Sequence, residues 1–367
     1  MNWIRSFSAV SAVVACGWAN AQGSAVLRGS DRQQMRIEQV DASGVTGTLG
    51  DARLLATWDR VRELRQETSA AQRVWLDAGE QLWRGISRLD RGDPIAAVGS
   101  LESAYEVFDA ETGATGAVAS DALLAARLEL GNLERCIVPW LRLLEHDLSQ
   151  VGPSGKRRAR LDPETGLLPE LPPIFVPTRT VGRTAAQIPG EGFERWTQGT
   201  NRRLAEAYAS ALLIAAGESP PPIRSEAPTE AVRLVEAVVE ARSQSPRIRL
   251  AARQTLQDII DSEVPAWTHA WCHAAIGLSL LRESEAERLA GVGHLLVVPS
   301  THAERLPRLA GLCLASAAQA LADMGRVEAA GTLIDELERI DPRHPALSLP
   351  SVRGLRALRM STNGTGS

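Results

Sequence analysis

The stretch from Arg308 to Pro342, RLAGLCLASAAQALADMGRVEAAGTLIDELERIDP, decides the fold class of this chain. Leu314, Ala317, Ala318 and Leu321 recur three and four positions apart, the spacing that lines side chains along one helical face. Gly325 interrupts the run, and Ala330, Ile334 and Leu337 then repeat the pattern until Pro342 closes it. Large and small apolar residues alternate, so two antiparallel helices can approach closely. Within the first segment only Ser316, Gln319 and Asp323 form a polar stripe. A helix so apolar elsewhere is covered on nearly every side. A hairpin of this kind cannot bury its apolar face alone, which requires neighbours of the same kind.

Leu314, Ala317, Ala318, Leu321, Gly325, Ala330, Ile334, Leu337 and Pro342 fall at tetratricopeptide-repeat spacing, and the hairpin resembles that family. Upstream, Ala78 to Arg91 predicts a helix ended by Gly92, and Asp93 with Pro94 starts its partner. Gly85, Ala97, Leu101 and Ala104 sit at repeat-like offsets around that turn. Ala122 to Leu130 and Leu133 to Glu145 form a second pair around Gly131-Asn132, with Leu123, Leu124, Cys136, Trp140 and Leu143 as its apolar face. Both pairs are similar to degenerate units of the family, with most aromatic positions replaced. The resemblance implies a mostly α protein, an α-solenoid of helical hairpins.

Further helices are expected over Arg202–Ala216, from Pro228 to about Ser243, from Pro246 to Asp261, over Ala266–Leu281 and over Glu283–Val297. Thr301 and Glu304 have the spacing of a capping box before Pro307. Residues 24–64 differ. Short apolar runs there are separated by Gly, Asp and Ser, and Met35, Ile37, Val45, Gly47 and Leu49 approach a period of two. That pattern predicts a small SH3-like barrel or a meander, docked on the helices.

At the N-terminus, Arg5 precedes the apolar run Phe7 to Trp18, and Ala19-Asn20-Ala21 matches a signal-peptidase site. The competing feature is Val13-Val14-Ala15-Cys16, which resembles a lipobox and would leave a lipid on Cys16. Cleavage after Ala21 is preferred. The expected organisation is then a signal peptide at 1–21, a β-rich segment at 24–64 and helical hairpins at 65–147. A Pro/Gly-rich linker or insertion at 148–200, further repeats at 201–345 and a partly disordered tail at 346–367 complete it. Pro153, Pro163, Pro169, Pro172, Pro173, Pro177 and Pro189 exclude a continuous helix in the insertion, although Leu167 to Val176 is apolar enough to lie against the body. A later transmembrane segment is not expected.

A formal net charge of -4 gives no electrostatic footprint for nucleic acid. Lys156, Arg157, Arg158 and Arg160 make a short basic run, read as solvated. Cys136, Cys272 and Cys313 fall within apolar helical patterns and are expected as buried thiols. Nucleophile-elbow, zinc-protease, phosphate-loop and dinucleotide signatures are absent from the sequence. His269, Cys272 and His273 share a helical neighbourhood in which two imidazoles and a thiol could meet a soft metal. Packing of Trp267, Trp271, Cys272 and Ile276, with the histidines at the edge, is the preferred alternative, and no metal or cofactor is expected. Together these features lead to an expectation of an exported, non-enzymatic interaction or scaffold protein of the cell envelope, with a protein or peptide partner. The alternatives are an exported polysaccharide hydrolase on a helical scaffold, which needs two opposed carboxylates, and a purely structural envelope component.

Overall fold

The computed structural model describes residues 23–29, 33–109, 113–146, 159–177, 199–220 and 228–363, with single positions at 181 and 184. The expected signal peptide, Cys16, and the basic residues Lys156, Arg157 and Arg158 lie outside these.

Five strands form one antiparallel sheet: β1 (Ser24–Leu27), β2 (Gln34–Asp41), β3 (Gly44–Leu49), β4 (Ala52–Ala56) and β5 (Val61–Arg65). Their order is β4-β3-β2-β1-β5. A simple meander would set β5 beside β4. Instead the 3-10 turn Trp58–Arg60 carries the chain back to β1, so the strands form one antiparallel sheet with β4 and β5 at its two edges, which is not a simple meander. Met35, Ile37 and Val45 project to the buried face at the alternation seen in the sequence. Trp58 anchors the sheet: its side chain is fully buried and its Nε1 donates to the Asp41 carbonyl at 2.9 Å. Its main-chain N–H donates to Thr115 Oγ1 at 3.0 Å, and that hydroxyl donates to the Ser43 carbonyl at 2.7 Å. One apolar core therefore runs from the sheet into the first helices.

Twelve α-helices follow among the described residues. They are α1 (Ala70–Leu89), α2 (Pro94–Phe108), α3 (Ala114–Glu129), α4 (Leu133–Glu145), α5 (Gly199–Ala215) and α6 (Glu230–Glu240). The second half holds α7 (Pro246–Ile260), α8 (Ala266–Leu280), α9 (Glu285–His302), α10 (Pro307–Asp323), α11 (Val327–Ile340) and α12 (Pro350–Asn363). The α1–α2 turn follows its sequence signals. Gly92 takes φ 74°, Asp93 accepts from the Ala96 N–H, and Pro94 opens α2. Gly85 lets the pair close: a Cβ there would lie 2.5 Å from Leu101 Cγ. Consecutive helices pack in chain order, and α1 with α3, α6 with α8, α8 with α10 and α10 with α12 also touch.

The expected repeat-packing positions are mostly interior. Ala97, Leu101, Ala104, Leu314, Ala318, Leu321, Ala330, Ile334 and Leu337 are buried, as is Gly85, while Gly325 takes φ 78° in the α10–α11 turn. Pro342 lies in the turn after α11.

Four boundaries depart from expectation. Helix α1 begins at Ala70, where Ser69 and Gln72 make a reciprocal capping box, and α3 begins at Ala114. The capping box at Thr301 and Glu304 does not form. Helix α9 runs through Pro299 to His302, and the Thr301 hydroxyl donates to the Val297 carbonyl. The tail is more ordered than its composition suggests, because Val352 and Leu355 of α12 join the core.

Within the stretch expected as linker or insertion, Leu167 to Val176 does lie against the body, as its apolar content indicates. Residues 159–177 form an irregular inner segment with turns at 163–165 and 169–170, and Leu167, Leu168, Leu171, Ile174 and Phe175 belong to the main apolar core. The α3–α4 turn reaches the start of α10, where Gly131 lies so close to the Arg308 guanidinium that a Cβ would sit 2.6 Å away.

Candidate functional site

The inner segment is fixed from both ends. Asp121, buried on α3, accepts the Ala159 N–H at 3.0 Å. Asp162 then turns the chain by accepting from the Glu164 and Thr165 N–H groups, and Gly166 takes φ 70°. Beyond it three aromatic donors from three helices capture main-chain carbonyls. Trp140 Nε1 donates to Gly166 at 3.0 Å, Trp271 Nε1 to Pro169 at 3.0 Å, and Tyr208 Oη to Leu171 at 2.6 Å. The rings also meet one another, with Trp140 and Tyr208 centroids 5.0 Å apart and Phe175 and Tyr208 6.4 Å apart. Burial pushes the Tyr208 phenol far above the ordinary tyrosine range, so it remains a donor at any working pH.

Beside Phe175 a cavity of about 420 Å³ opens. Ile174, Phe175 and Pro177 form one wall. The polar stripe of α10, Ser316, Gln319 and Asp323, forms a second. Arg242 after α6, Arg282 after α8 and Arg288 on α9 form the third, over Leu278 and Leu281. Arg282 Nη1 is spent on main-chain oxygens, donating to Arg242 at 2.9 Å, and Arg288 Nε donates to the Glu283 carbonyl at 3.1 Å. The Glu283 carboxylate is committed elsewhere. It holds Arg249 at 2.8 Å and Arg253 at 3.0 Å, and those bonds pull its pKa down. Arg242 Nη1 is enclosed and has no acceptor among the described residues. Burial, with the Arg282 charge beside it, pushes the Arg242 guanidinium down to about 10. Burial, with Arg249, also lowers Arg282. Across the cavity, Gln319 Nε2 donates to Asp323 at 2.6 Å while its Oε1 is enclosed without a partner among the described residues.

His269, Cys272 and His273, the trio weighed as a soft-metal alternative, take different surroundings. Cys272 is fully buried among apolar side chains, and burial raises its thiol pKa, which keeps it protonated. His273 turns instead to His294 on α9, with the two Nδ1 atoms 3.0 Å apart. That approach follows from Gly277 and Gly291, where either Cβ would fall within 2.9 Å of the opposite carbonyl. Burial lowers the pKa of both imidazoles, and His294 adds to the effect on His273. His269 Nε2 is enclosed without a partner among the described residues, which also contain no group of three or more such side chains able to hold a metal ion. Cys136 and Cys313 are buried free thiols, as expected.

Carboxyls raised by burial occur at Glu170, Glu236 and Glu240. Glu236 and Glu240 lie four apart on α6, and neither lines the cavity, so they do not form an opposed pair across it. The sequence reading missed Arg242, Arg282, Arg288, Tyr208 and His294. One signal was present: the polar stripe on an otherwise covered helix, which faces this cavity. Comparison with known proteins finds no matching family model, no matching curated protein and no matching solved structure.

Proposed function

We propose that this protein is a non-catalytic interaction or scaffold protein of the cell envelope, built from tetratricopeptide-like hairpins stacked as a solenoid. Its inner face is adapted to extended polypeptide. The observation that carries this reading is the capture of residues 166–171 through main-chain carbonyls by Trp140, Trp271 and Tyr208. Donors aimed at the backbone, with apolar pockets for alternate side chains, are how grooves take peptides irrespective of sequence. Packing of each helix on its chain neighbours supports the stacked arrangement. Because the chain fills its own inner face, an external partner meets the outer surface or the margin. Val74, Trp83 and Ile95 are exposed apolar side chains on α1 and α2, where such a contact would begin.

Export rests on the N-terminal segment, and mass spectrometry of the mature N-terminus tests it. A chain beginning at Gln22 is expected, and an intact Met1 would remove the envelope assignment. Among the described residues no helix is long and apolar enough to cross a membrane. The partner is tested by placing a photo-reactive amino acid at Ile95 or Trp83 of the full chain in its native cells, with Arg339 as the control position. Discrete cross-links of one mass at the first two positions are expected. Cross-linking no greater than at Arg339 would defeat the interaction reading.

A further inference from the structure

We propose that the cavity between the inner segment, α10 and the three arginines is a binding site for a small organic oxyanion, a carboxylate or a phosphate monoester. It is independent of whether a protein partner exists.

The argument starts from Arg242. A guanidinium carries five N–H donors and a charge that proteins do not titrate away, so an enclosed nitrogen without an acceptor carries an uncompensated desolvation cost. Arg242 Nη1 is in that condition, and other atoms of the Arg242 side chain line a cavity roomy enough for a ligand of roughly a dozen heavy atoms. Its charged neighbours on that wall are Arg282 and Arg288, of the same sign. The adjacent carboxylate, Glu283, is held by Arg249 and Arg253. Positive potential is thus concentrated on one wall, and Asp323 is the one carboxylate lining the cavity among the described residues. A chain that gained nothing from this arrangement would be more stable with an apolar residue at 242. An oxyanion in the cavity satisfies Nη1 through a charge-assisted hydrogen bond once the Arg242 guanidinium turns toward it.

The opposite wall limits the ligand further. Gln319 Oε1 is an enclosed acceptor, and Asp323 stands beside it. Both want a donor, so the ligand carries a hydroxyl or ammonium away from its anionic group. Phe175, Leu278 and Leu312 supply the apolar surface between. A hydroxy-substituted aromatic or aliphatic acid meets all three walls; inorganic phosphate meets only the first.

The full mature chain is titrated calorimetrically with 4-hydroxybenzoate, inorganic phosphate and the neutral control benzyl alcohol, at low and high salt. Saturable one-to-one binding of at least one anion, weakened by salt and absent for benzyl alcohol, is expected. Preference for 4-hydroxybenzoate assigns a carboxylate ligand, and preference for phosphate assigns a phosphate ester. Arg242→Met should lose tenfold or more in affinity while melting no lower than the parent. Should that variant fail to fold, Arg288→Gln on the same wall should lose severalfold, and Gln319→Ala should weaken 4-hydroxybenzoate but not phosphate. No heat with either anion at millimolar concentration, or unaltered affinity in both arginine variants, overturns the proposal.

Discussion

Replacing Tyr208 by Phe tests the central claim, that residues 159–177 belong to the interior. The substitution deletes one oxygen and leaves the ring in place against Trp140 and Phe175. Tyr208 and Leu171 are both fully buried, and the lost bond is 2.6 Å long. The Leu171 carbonyl would then have no solvent to turn to. An unsatisfied buried acceptor costs about 1–3 kcal/mol, well above the roughly 1 kcal/mol net value of an ordinary hydrogen bond. Leu171→Ala leaves the bond and removes the side chain, at about 2–5 kcal/mol for a core leucine.

Urea unfolding followed by tryptophan fluorescence reads both, since Trp140 and Trp271 bracket the segment. A lower midpoint with unchanged slope is expected for each variant. Because the two changes act on one docked unit, the double variant should depart from additivity by about 0.5 kcal/mol or more. A Tyr208→Phe midpoint equal to the parent's, with strictly additive Leu171→Ala, would refute the docked segment and restore the linker.

Acid should destabilise the fold through its histidines. Burial lowers the pKa of His146, His273, His294, His302 and His344 below the ordinary 6.5. Above that value both states are neutral and nothing is lost; as pH falls from 6.5 toward the folded values, the unfolded chain takes protons that the folded chain refuses. Stability then drops by at most about 1.4 kcal/mol per pH unit for each histidine. The carboxyls of Glu170, Glu236 and Glu240, raised by burial, act in the opposite sense at the acid end, so the measurement compares parent with a His273→Phe/His294→Leu variant between pH 7.5 and 5.5. Equal slopes would remove the histidine pair as a source. Gly85→Ala should cost about 1–3 kcal/mol, because its Cβ must displace Leu101; an unchanged thermal midpoint would show that α1 and α2 can separate freely. Asp109→Ala should cost about 3–5 kcal/mol. Burial alone would lower the Arg142 pKa, but its bonds to Asp109 and Glu145 outweigh that, so the buried guanidinium depends on both partners. Unfolding by urea checks it, and a loss below 1 kcal/mol would mean Glu145 alone suffices.

The helices were legible because their signals are local. Gly92, Asp93 and Pro94 mark a turn within three residues, and Gly131 and Gly325 do the same with positive φ. The sheet pairing was only half legible: alternation gives strands, but β5 pairs with β1 and not β4, and Trp58 at the turn before it bonds to Asp41 and Thr115, 17 and 57 positions away. The inner segment was read as apolar enough to dock, yet its anchors stand 26, 37 and 102 positions away. Periodicity carries no information at that range. For the same reason His273 was grouped with Cys272, its neighbour in sequence, rather than with His294 across a glycine-lined crossing.

Proline inside a protein interior calls for a physical reason, and the inner segment supplies one. Pro169, Pro172, Pro173 and Pro177 carry no N–H, so burying this stretch leaves chiefly carbonyls in need of partners. Indole and phenol groups are apolar bodies with one donor each, and buried Trp or Tyr must find an acceptor. Carbonyl-rich segment and donor-tipped aromatics therefore complete each other, where a helix would have satisfied its own backbone and left Trp140, Trp271 and Tyr208 unpaired. This pairing also fixes where a ligand site can be. At Ile174, Phe175 and Val176 the segment shares a smaller cavity of about 200 Å³ with Arg308, Leu309 and Leu312 of α10. One turn further along α10, beside Pro177, the larger cavity is lined by Ser316, Gln319 and Asp323 together with Ala315 and Ala320. The polar stripe of α10 therefore lies on the larger cavity, while the apolar faces of the same helix are spent on the core, which is why a helix covered on nearly every other side keeps three polar residues in register.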